Sequence, residues 1–261
     1  QDGGQWDMWV NLVNKYGVVP KSEMPETYQS SRSMRMNRMI TRKLREFAKE
    51  LRDAIKNNIS EENLFNMKDD MLNVVYKMLV IHLGDPPIKF TWQIRDKKKN
   101  FLRFEDLTPQ SFFSKHVGLN LSDLVCLINC PMSDKSYKKV YSVEHLGNVI
   151  EGQPIRYLNT KIEILKKAAI QSIKNDDPVW FGCDVGKYLH RSHGVMDTDL
   201  FDFDLFYDTK FTMDKSTRLE YGESKMTHAM LFTGVDLDLN DNPLKWRVEN
   251  SWGDRNGEKG F

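Results

Sequence analysis

Near residue 85 the spacing of apolar residues changes, and this change limits the fold classes open to the chain. Over residues 33–83 apolar side chains recur at helical spacing and form narrow stripes, which predicts a pair of helices. Gly84 and the Pro86-Pro87 pair then end the pattern, because neither residue type continues a helix well. From Phe90 onward apolar residues alternate with polar ones or form short runs, which predicts strands. We therefore predict an α+β fold.

Two later helix starts carry capping signals. Thr108 followed by Pro109 is typical of the first residues of a short helix. Thr160 and Glu163 have the spacing of a capping box, which predicts a helix running to about residue 175. The other predicted elements are a helix over Trp6–Tyr16, a helical hairpin over 33–83, a β-hairpin over 90–104, and strands over 179–184, 226–235 and 246–250.

Composition is that of an ordinary soluble globular protein. Lysines and arginines (38) nearly balance aspartates and glutamates (37), so the net charge of +1 gives no overall attraction to nucleic acid or membranes. The odd number of cysteines, 3, argues against a disulfide framework and favours the reducing cytoplasm. No apolar run approaches the roughly 20 residues of a membrane span. Both ends look cut, so we expect an interior segment of a longer protein.

Basic residues are frequent on the predicted helical hairpin, but acidic residues are interleaved with them. This pattern is typical of a solvated helix face. Binding of nucleic acid is the weaker alternative for these cations and for the lysines at 97–99. The interleaved residues are Arg42, Lys43, Arg45, Lys49 and Arg52 with Glu46, Glu50 and Asp53.

The strongest chemical signal is a histidine and an asparagine at the ends of two neighbouring predicted strands. His228 opens one apolar run, Asn250 ends the next, and a polar turn separates the runs. Antiparallel pairing across that turn would place the two side chains next to each other. The asparagine oxygen would then accept one ring N–H and orient the imidazole, which takes a proton from a thiol and pairs with the thiolate. Trp252 would cover that hydrogen bond.

Around these residues the sequence resembles the papain-like cysteine peptidases. The apolar strand that begins at His228 resembles their histidine strand, and the Asn-Ser-Trp-Gly sequence that begins at Asn250 is among their more specific signatures. The resemblance implies that His228 is the catalytic histidine, Asn250 the orienting asparagine and Trp252 its aromatic cover. It outweighs the alternative of a structural histidine and a turn asparagine. Asn256 stands where most papains carry tryptophan, which points away from papain proper.

Three further stretches narrow the resemblance to the bleomycin hydrolase and aminopeptidase C branch of that family. A long helical insertion after residue 20 also suits this branch. Gly3 and Gly4 resemble the paired glycines whose backbone holds the extended substrate, and only glycine lets another backbone approach so closely. The three stretches cover residues 2–8, 180–187 and 222–230.

The resemblance implies a papain-like two-lobe fold with a long helical insertion, truncated at both ends. Residues 1–20 would belong to the helical lobe and the cleft, residues 21–120 to the insertion and hairpin, and residues 121–261 to a strand-rich lobe. Gly3, Gly4, His228 and Asn250 would line one cleft. The nucleophilic cysteine and an oxyanion-hole glutamine would precede the segment, so the segment alone would be inactive. The family's C-terminal tail would follow it.

The implied activity is that of a cytoplasmic cysteine aminopeptidase. It would hydrolyse peptide or amide bonds at free N-termini through an acyl-enzyme, without a cofactor or metal, and would assemble as a homohexameric ring. The alternative from another class is a catalytically inactive paralogue that serves as an assembly or nucleic-acid-binding subunit. The sequence preceding the segment would decide between them, because only the enzyme needs a cysteine there.

The cysteines and histidines elsewhere in the chain are weaker candidates. Cys183 follows a predicted strand, whereas a low thiol pKa is most readily obtained at a helix N-terminus. Cys126 and Cys130 lack a second pair of ligands, so burial is favoured over zinc binding. His190 and His193 lie in a polar stretch and are interpreted as surface residues.

Overall fold

The computed structural model describes residues 4–254 and 257–261, with helices and strands that confirm the predicted α+β class. Gly3 and Asn256, singled out in the sequence, lie outside these ranges. The chain forms two compact units: Val10–Asn120, and the described residues up to Trp9 together with Leu121–Phe261. The division into segments 1–20, 21–120 and 121–261 stays a prediction.

Helices and one β-hairpin make up the first unit. In chain order its elements are α1 (Trp6–Tyr16), whose first residues belong to the second unit, α2 (Tyr28–Ser31), α3 (Met34–Lys56), α4 (Glu61–Leu83), the antiparallel strands β1 (Phe90–Arg95) and β2 (Phe101–Leu107), α5 (Pro109–Phe112) and a π-helical turn (Phe113–Val117).

Capping residues explain where helices of this unit begin and end. At the start of α4 the Ser60 hydroxyl accepts a backbone N–H of the first turn, and Gly84, with a φ of 87°, ends the helix. Thr108 and Ser111 form a capping box around Pro109 at the start of α5. The helical hairpin, the β-hairpin and the helix start at Thr108, all predicted from the sequence, are confirmed.

Small sheets and short helices make up the described part of the second unit. Its elements are a 3-10 turn (Leu121–Asp123), β3 (Cys126–Ile128), β4 (Val140–Tyr141), β5 (Tyr157–Asn159), α6 (Ile162–Lys174), β6 (Val179–Cys183), β7 (Leu189–His190), β8 (Val195–Met196), α7 (Phe203–Tyr207), α8 (Lys215–Glu220), β9 (His228–Leu237) and β10 (Pro243–Glu249).

The longest of these strands, β9, is the centre of a three-stranded sheet in the order β10-β9-β6. It pairs antiparallel with both neighbours. On one side Cys183 lies opposite His228, and on the other Glu249 lies opposite Leu231. The start of β9, the end of β6 and the end of β10 therefore lie at the same end of the sheet. The three apolar strands predicted from the sequence are confirmed.

The start of α6 differs from the prediction, and the capping box of Thr160 and Glu163 is wrong. The N-cap residue is Lys161, and its side chain makes no capping hydrogen bond. Thr160 is instead held after β5 by two hydrogen bonds: its N–H donates to the Ile128 carbonyl at 2.8 Å, and its own carbonyl accepts from the Asn129 amide at 2.9 Å. Tertiary hydrogen bonds thus take the place of the local cap.

Next to Thr160, the side chain of Asn159 is fully buried, at 0% exposed, and joins separate stretches of chain. Its oxygen accepts the Cys130 N–H at 2.8 Å, and its amide donates to the Cys130 carbonyl at 2.8 Å and the Lys135 carbonyl at 2.9 Å. These bonds fix the loop that follows β3, because a fully buried amide is satisfied by partners within the protein.

Replacing Asn159 with alanine should lower the free energy of unfolding by about 2–4 kcal/mol, because three backbone groups of half-buried residues would lose their partner. Urea unfolding followed by circular dichroism measures this change. The matched control is Asn240→Ala in an exposed turn, for which we expect a change below about 0.5 kcal/mol. A loss at Asn159 no larger than that of the control would contradict this account of the loop.

Candidate active site

The sheet brings His228 and Asn250 together. His228 is the first residue of β9, Asn250 directly follows β10, and the His228 Nε2 lies 2.9 Å from the Asn250 Oδ1. The same Oδ1 accepts the backbone N–H of Ser251 at 2.8 Å. Since an amide nitrogen could not accept that N–H, the bond defines which way the asparagine amide is turned. The predicted adjacency of the two side chains is confirmed.

This hydrogen bond determines where the ring proton of His228 resides. The asparagine oxygen only accepts, so Nε2 must donate. A neutral imidazole carries one N–H, and the lone pair is then on Nδ1. Nδ1 is therefore the atom able to take a proton from a nucleophile.

The indole of Trp252 lies over the imidazole. The two ring centroids are 4.7 Å apart, and the planes are inclined by 21°, which is a stacked arrangement. Such a contact limits rotation of the imidazole and shields its hydrogen bond to Asn250 from competing water. The predicted cover by Trp252 is thus present in the structure.

Hydrogen bonds to neighbouring segments hold the backbone at both residues. The Asn250 N–H donates to the Gly260 carbonyl at 3.1 Å, which ties the end of β10 to the final turn of the described chain. Before His228, the Thr227 N–H donates to the Cys183 carbonyl at 3.0 Å, and the Thr227 hydroxyl accepts the Val185 N–H at 3.0 Å. The contacts of Thr227 are not predicted from the sequence, in which its position directly before the histidine is the local signal.

Gly4 belongs to the same compact unit as His228. The residues that follow it are well attached there: Gln5 is hydrogen-bonded to the Tyr157 hydroxyl, the Asp7 carboxylate accepts the Arg156 N–H at 2.9 Å, and the Trp6 ring lies 6.0 Å from that of Trp180 on β6. Gly4 itself is exposed, and a Cβ added to it would meet nothing within 4 Å.

The cleft predicted to hold Gly4 together with His228 and Asn250 stays a prediction, as does the substrate-binding role of Gly4. Gly3 lies outside the described residues.

The cysteines in the chain are free, and the thiols of two of them ionise poorly. Burial raises the pKa of the Cys183 thiol to about 11, and the neighbouring Asp184 carboxylate acts in the same direction. Burial also raises the pKa of Cys126 to about 11, with a smaller contribution from Asp7. Although Cys183 lies opposite His228 across the β6–β9 pairing, its thiol is therefore almost wholly protonated near pH 7.

The described residues show neither a metal centre nor a membrane span. Within residues 4–254 and 257–261, no three His, Cys, Asp or Glu side chains are grouped so that they could hold a metal ion. None of the helices in those ranges is both long and apolar enough to cross a membrane.

Comparison with known proteins identifies the family. Residues 1–261 match the model of the Peptidase C1-like family. The chain belongs to the Peptidase C1-like family. The family resemblance is confirmed by this match, and its bleomycin hydrolase and aminopeptidase C branch by relatives that carry those names.

Relatives of this Peptidase C1-like chain match it from end to end. It is 46% identical over 261 residues to Aminopeptidase C of Streptococcus thermophilus and 43% identical over 265 residues to human bleomycin hydrolase. It is similar to the crystal structure of PepW from Lactobacillus rhamnosis HN001, with a TM-score of 0.96 at 49% identity. Each match covers 100% of the chain but only 58% or 59% of the other protein, so the chain spans little more than half the length of these relatives.

The raised pKa of Cys183 predicts an unusual pH dependence of its alkylation. Below its pKa, the thiolate fraction of a cysteine rises about tenfold per pH unit. The rate of carboxamidomethylation of Cys183 should therefore keep rising from pH 7 to 10 in the folded protein. In urea-unfolded protein it should level off near the ordinary pKa of about 8.5–9. Mass spectrometry of the peptide that carries Cys183 measures both rates.

The same shift affects stability. Above about pH 9 the unfolded chain loses its thiol proton while the folded chain keeps it, so the free energy of unfolding should fall as pH rises from about 9 to 11. A folded-state alkylation rate that reaches its plateau below pH 9 would show that the Cys183 thiol is not held protonated.

Proposed function

We propose that the protein is a thiol-dependent aminopeptidase in which His228 is the general base and Asn250 orients it. The observation that carries the proposal is the 2.9 Å hydrogen bond from His228 Nε2 to Asn250 Oδ1, because it leaves Nδ1 free to accept a proton. The names of the relatives, Aminopeptidase C and bleomycin hydrolase, support the same reaction class.

In this mechanism His228 moves one proton in each half of the reaction. Nδ1 takes the proton of a cysteine thiol, and the thiolate attacks the substrate carbonyl. Nδ1 then gives that proton to the leaving amine, and a thioester acyl-enzyme remains. In the second half Nδ1 takes a proton from water, whose oxygen attacks the thioester, and returns it to the cysteine sulfur as the acid leaves.

Asn250 can be neutral in this scheme. The imidazolium formed by proton transfer is paired with the thiolate, so the countercharge comes from the nucleophile itself. What the ring needs from its partner is orientation, and the Nε2–H bond to Oδ1 supplies that. The stacked indole of Trp252 preserves this bond by excluding water from it.

We assign the nucleophile to a cysteine of the full-length protein outside residues 1–261. Two observations support this. Cys126 and Cys183 have pKa values raised to about 11, opposite to what a thiolate nucleophile requires. In addition, the relatives are much longer than this chain. The 261-residue segment alone would then have no peptidase activity.

For the substrate, we propose an extended peptide or amide with a free N-terminus, held along the backbone of Gly3 and Gly4. The open space around Gly4 supports this, since no described atom lies within 4 Å of a Cβ placed there and the backbone is accessible to a ligand. The homohexameric ring and the cytoplasmic location are further parts of the proposal and come from the family resemblance.

Nucleic-acid binding by the basic face of α3 is less well supported. Lys43 is paired with Glu46 at 2.8 Å and Lys49 with Asp53 at 2.6 Å, both within the helix. Such pairs are typical of a solvated face. The inactive-paralogue alternative is disfavoured by the hydrogen-bonded histidine and asparagine, which a subunit with a purely structural role has no chemical need to keep.

Substitution of His228 in the full-length protein tests the proposal. With an aminoacyl amide substrate, His228→Ala should lower kcat by about 100- to 10,000-fold, the usual contribution of a general base. Asn250→Ala should lower kcat less, because a misoriented base still reacts in part of the molecules. The matched control is His145→Ala. The His145 side chain is 91% exposed, so this substitution should leave kcat unchanged.

The Cys183→Ala variant should keep the turnover of the wild-type protein. N-acetylation of the substrate should abolish turnover by the wild-type protein. Loss of activity in Cys183→Ala with retained activity in His228→Ala would contradict the proposed mechanism.

A further inference from the structure

A second group contacts the indole that covers the catalytic pair. The guanidinium carbon of Arg191 lies 5.1 Å from the centroid of Trp252, whose ring stacks on His228 at 4.7 Å. A guanidinium near an aromatic ring is attracted by the ring's electron density. Arg191 is exposed. The indole is therefore an aromatic contact of its guanidinium.

The turn that carries Arg191 is packed against the end of the chain. It connects β7 to β8 and is closed by a hydrogen bond from the Gly194 N–H to the Arg191 carbonyl, at 3.3 Å. Gly194 has a φ of 63°, and a Cβ there would lie 2.4 Å from the Gly257 Cα and 2.9 Å from the Phe261 carbonyl oxygen. The two backbones thus touch directly, which only glycine permits.

The stretch that this turn touches also holds Asn250. Within residues 257–261, the Gly260 carbonyl accepts the Asn250 N–H at 3.1 Å. The Phe261 ring lies 3.7 Å from the guanidinium carbon of Arg247 in β10, the strand that directly precedes Asn250. The β7–β8 turn is therefore connected to the catalytic pair twice, through Gly194 to the backbone of Asn250 and through Arg191 to the indole over His228.

We propose that Arg191 is a positioning residue for the His228–Asn250 pair and acts through Trp252. The proposal rests on the function proposed above. Arg191 holds the indole in its stacked position. Water is thereby kept from the hydrogen bond between His228 Nε2 and Asn250 Oδ1, and the lone pair on Nδ1 keeps one orientation. Without the guanidinium, the indole has one partner fewer and leaves the imidazole more often.

The first test follows the Nε2–H proton of His228 by NMR and needs no catalysis. In Arg191→Met, hydrogen exchange of this proton with solvent should become about two- to fivefold faster, the factor that corresponds to an exposed cation–aromatic contact. Arg191→Lys keeps the positive charge and should restore most of the protection. Arg32→Met is the matched control, because it removes an exposed arginine 5.3 Å from the Tyr28 ring in the other unit.

The second test measures kcat and KM of the full-length protein. Arg191→Met should lower kcat by about two- to fivefold with KM unchanged, because the base and not the substrate is affected. In a Trp252→Leu background the same substitution should have no further effect, since the element through which Arg191 acts is gone.

Two results would overturn the proposal. One is unchanged exchange of the His228 ring proton in Arg191→Met, with unchanged kcat. The other is an equal loss of kcat in the wild-type and Trp252→Leu backgrounds, which would mean that Arg191 acts independently of the indole. Absence of turnover in the wild-type protein would instead contradict the proposed function, while the exchange measurement would still decide the role of Arg191.

Discussion

The antiparallel pairing of β9 with β10 determines whether His228 and Asn250 meet, and β6 pairs with β9 on its other side. Side chains along a strand alternate between the two faces, so a slip of one residue in the β9–β10 pairing would turn His228 away from Asn250. The pair Cys183–His228 sets the register on one side. On the other side the register shifts between Arg247 and Val248, close to the end of β10. Such an irregularity redirects the residues that follow, and here Asn250 is brought to the imidazole.

Once this register is set, the orientation of the imidazole follows from weak, directional contacts. Asn250 is neutral and accepts two N–H groups on one oxygen, which fixes its amide and with it the tautomer of His228. The hydrogen bond orients the imidazole only while water does not compete for it. The stacked indole of Trp252 therefore contributes to this orientation together with the asparagine. Thr227 and Gly260 hold the backbone on either side.

Sequence reasoning was accurate where the determining contacts are local. The paired helices α3 and α4 follow from apolar spacing and from Gly84, and the meeting of His228 with Asn250 follows from two apolar runs joined by a short polar turn. The capping box at Thr160 was wrong because the Ile128 carbonyl, far away in sequence, binds the Thr160 N–H. No local pattern carries that information.

Arg191 and Thr227 show the same limit at the site itself. Arg191 reads as one more charged residue in a polar turn, and its aromatic partner is Trp252, many residues later. The hydroxyl of Thr227 accepts a hydrogen bond from the N–H of Val185, which lies on another segment. The partners of both side chains are set by how β6, β9 and the β7–β8 turn pack, so these contacts are visible only in three dimensions.

The central claim of this account is that Asn250 holds His228 in the tautomer with its proton on Nε2 and its lone pair on Nδ1. The most direct measurement is the pair of ring ¹⁵N chemical shifts of His228, from two-bond ¹H–¹⁵N correlation spectra at a pH where the ring is neutral. We expect a protonated-nitrogen shift at Nε2 and a lone-pair shift at Nδ1, and a mixture of both tautomers in Asn250→Ala. A proton found on Nδ1 in the unsubstituted protein would contradict the account.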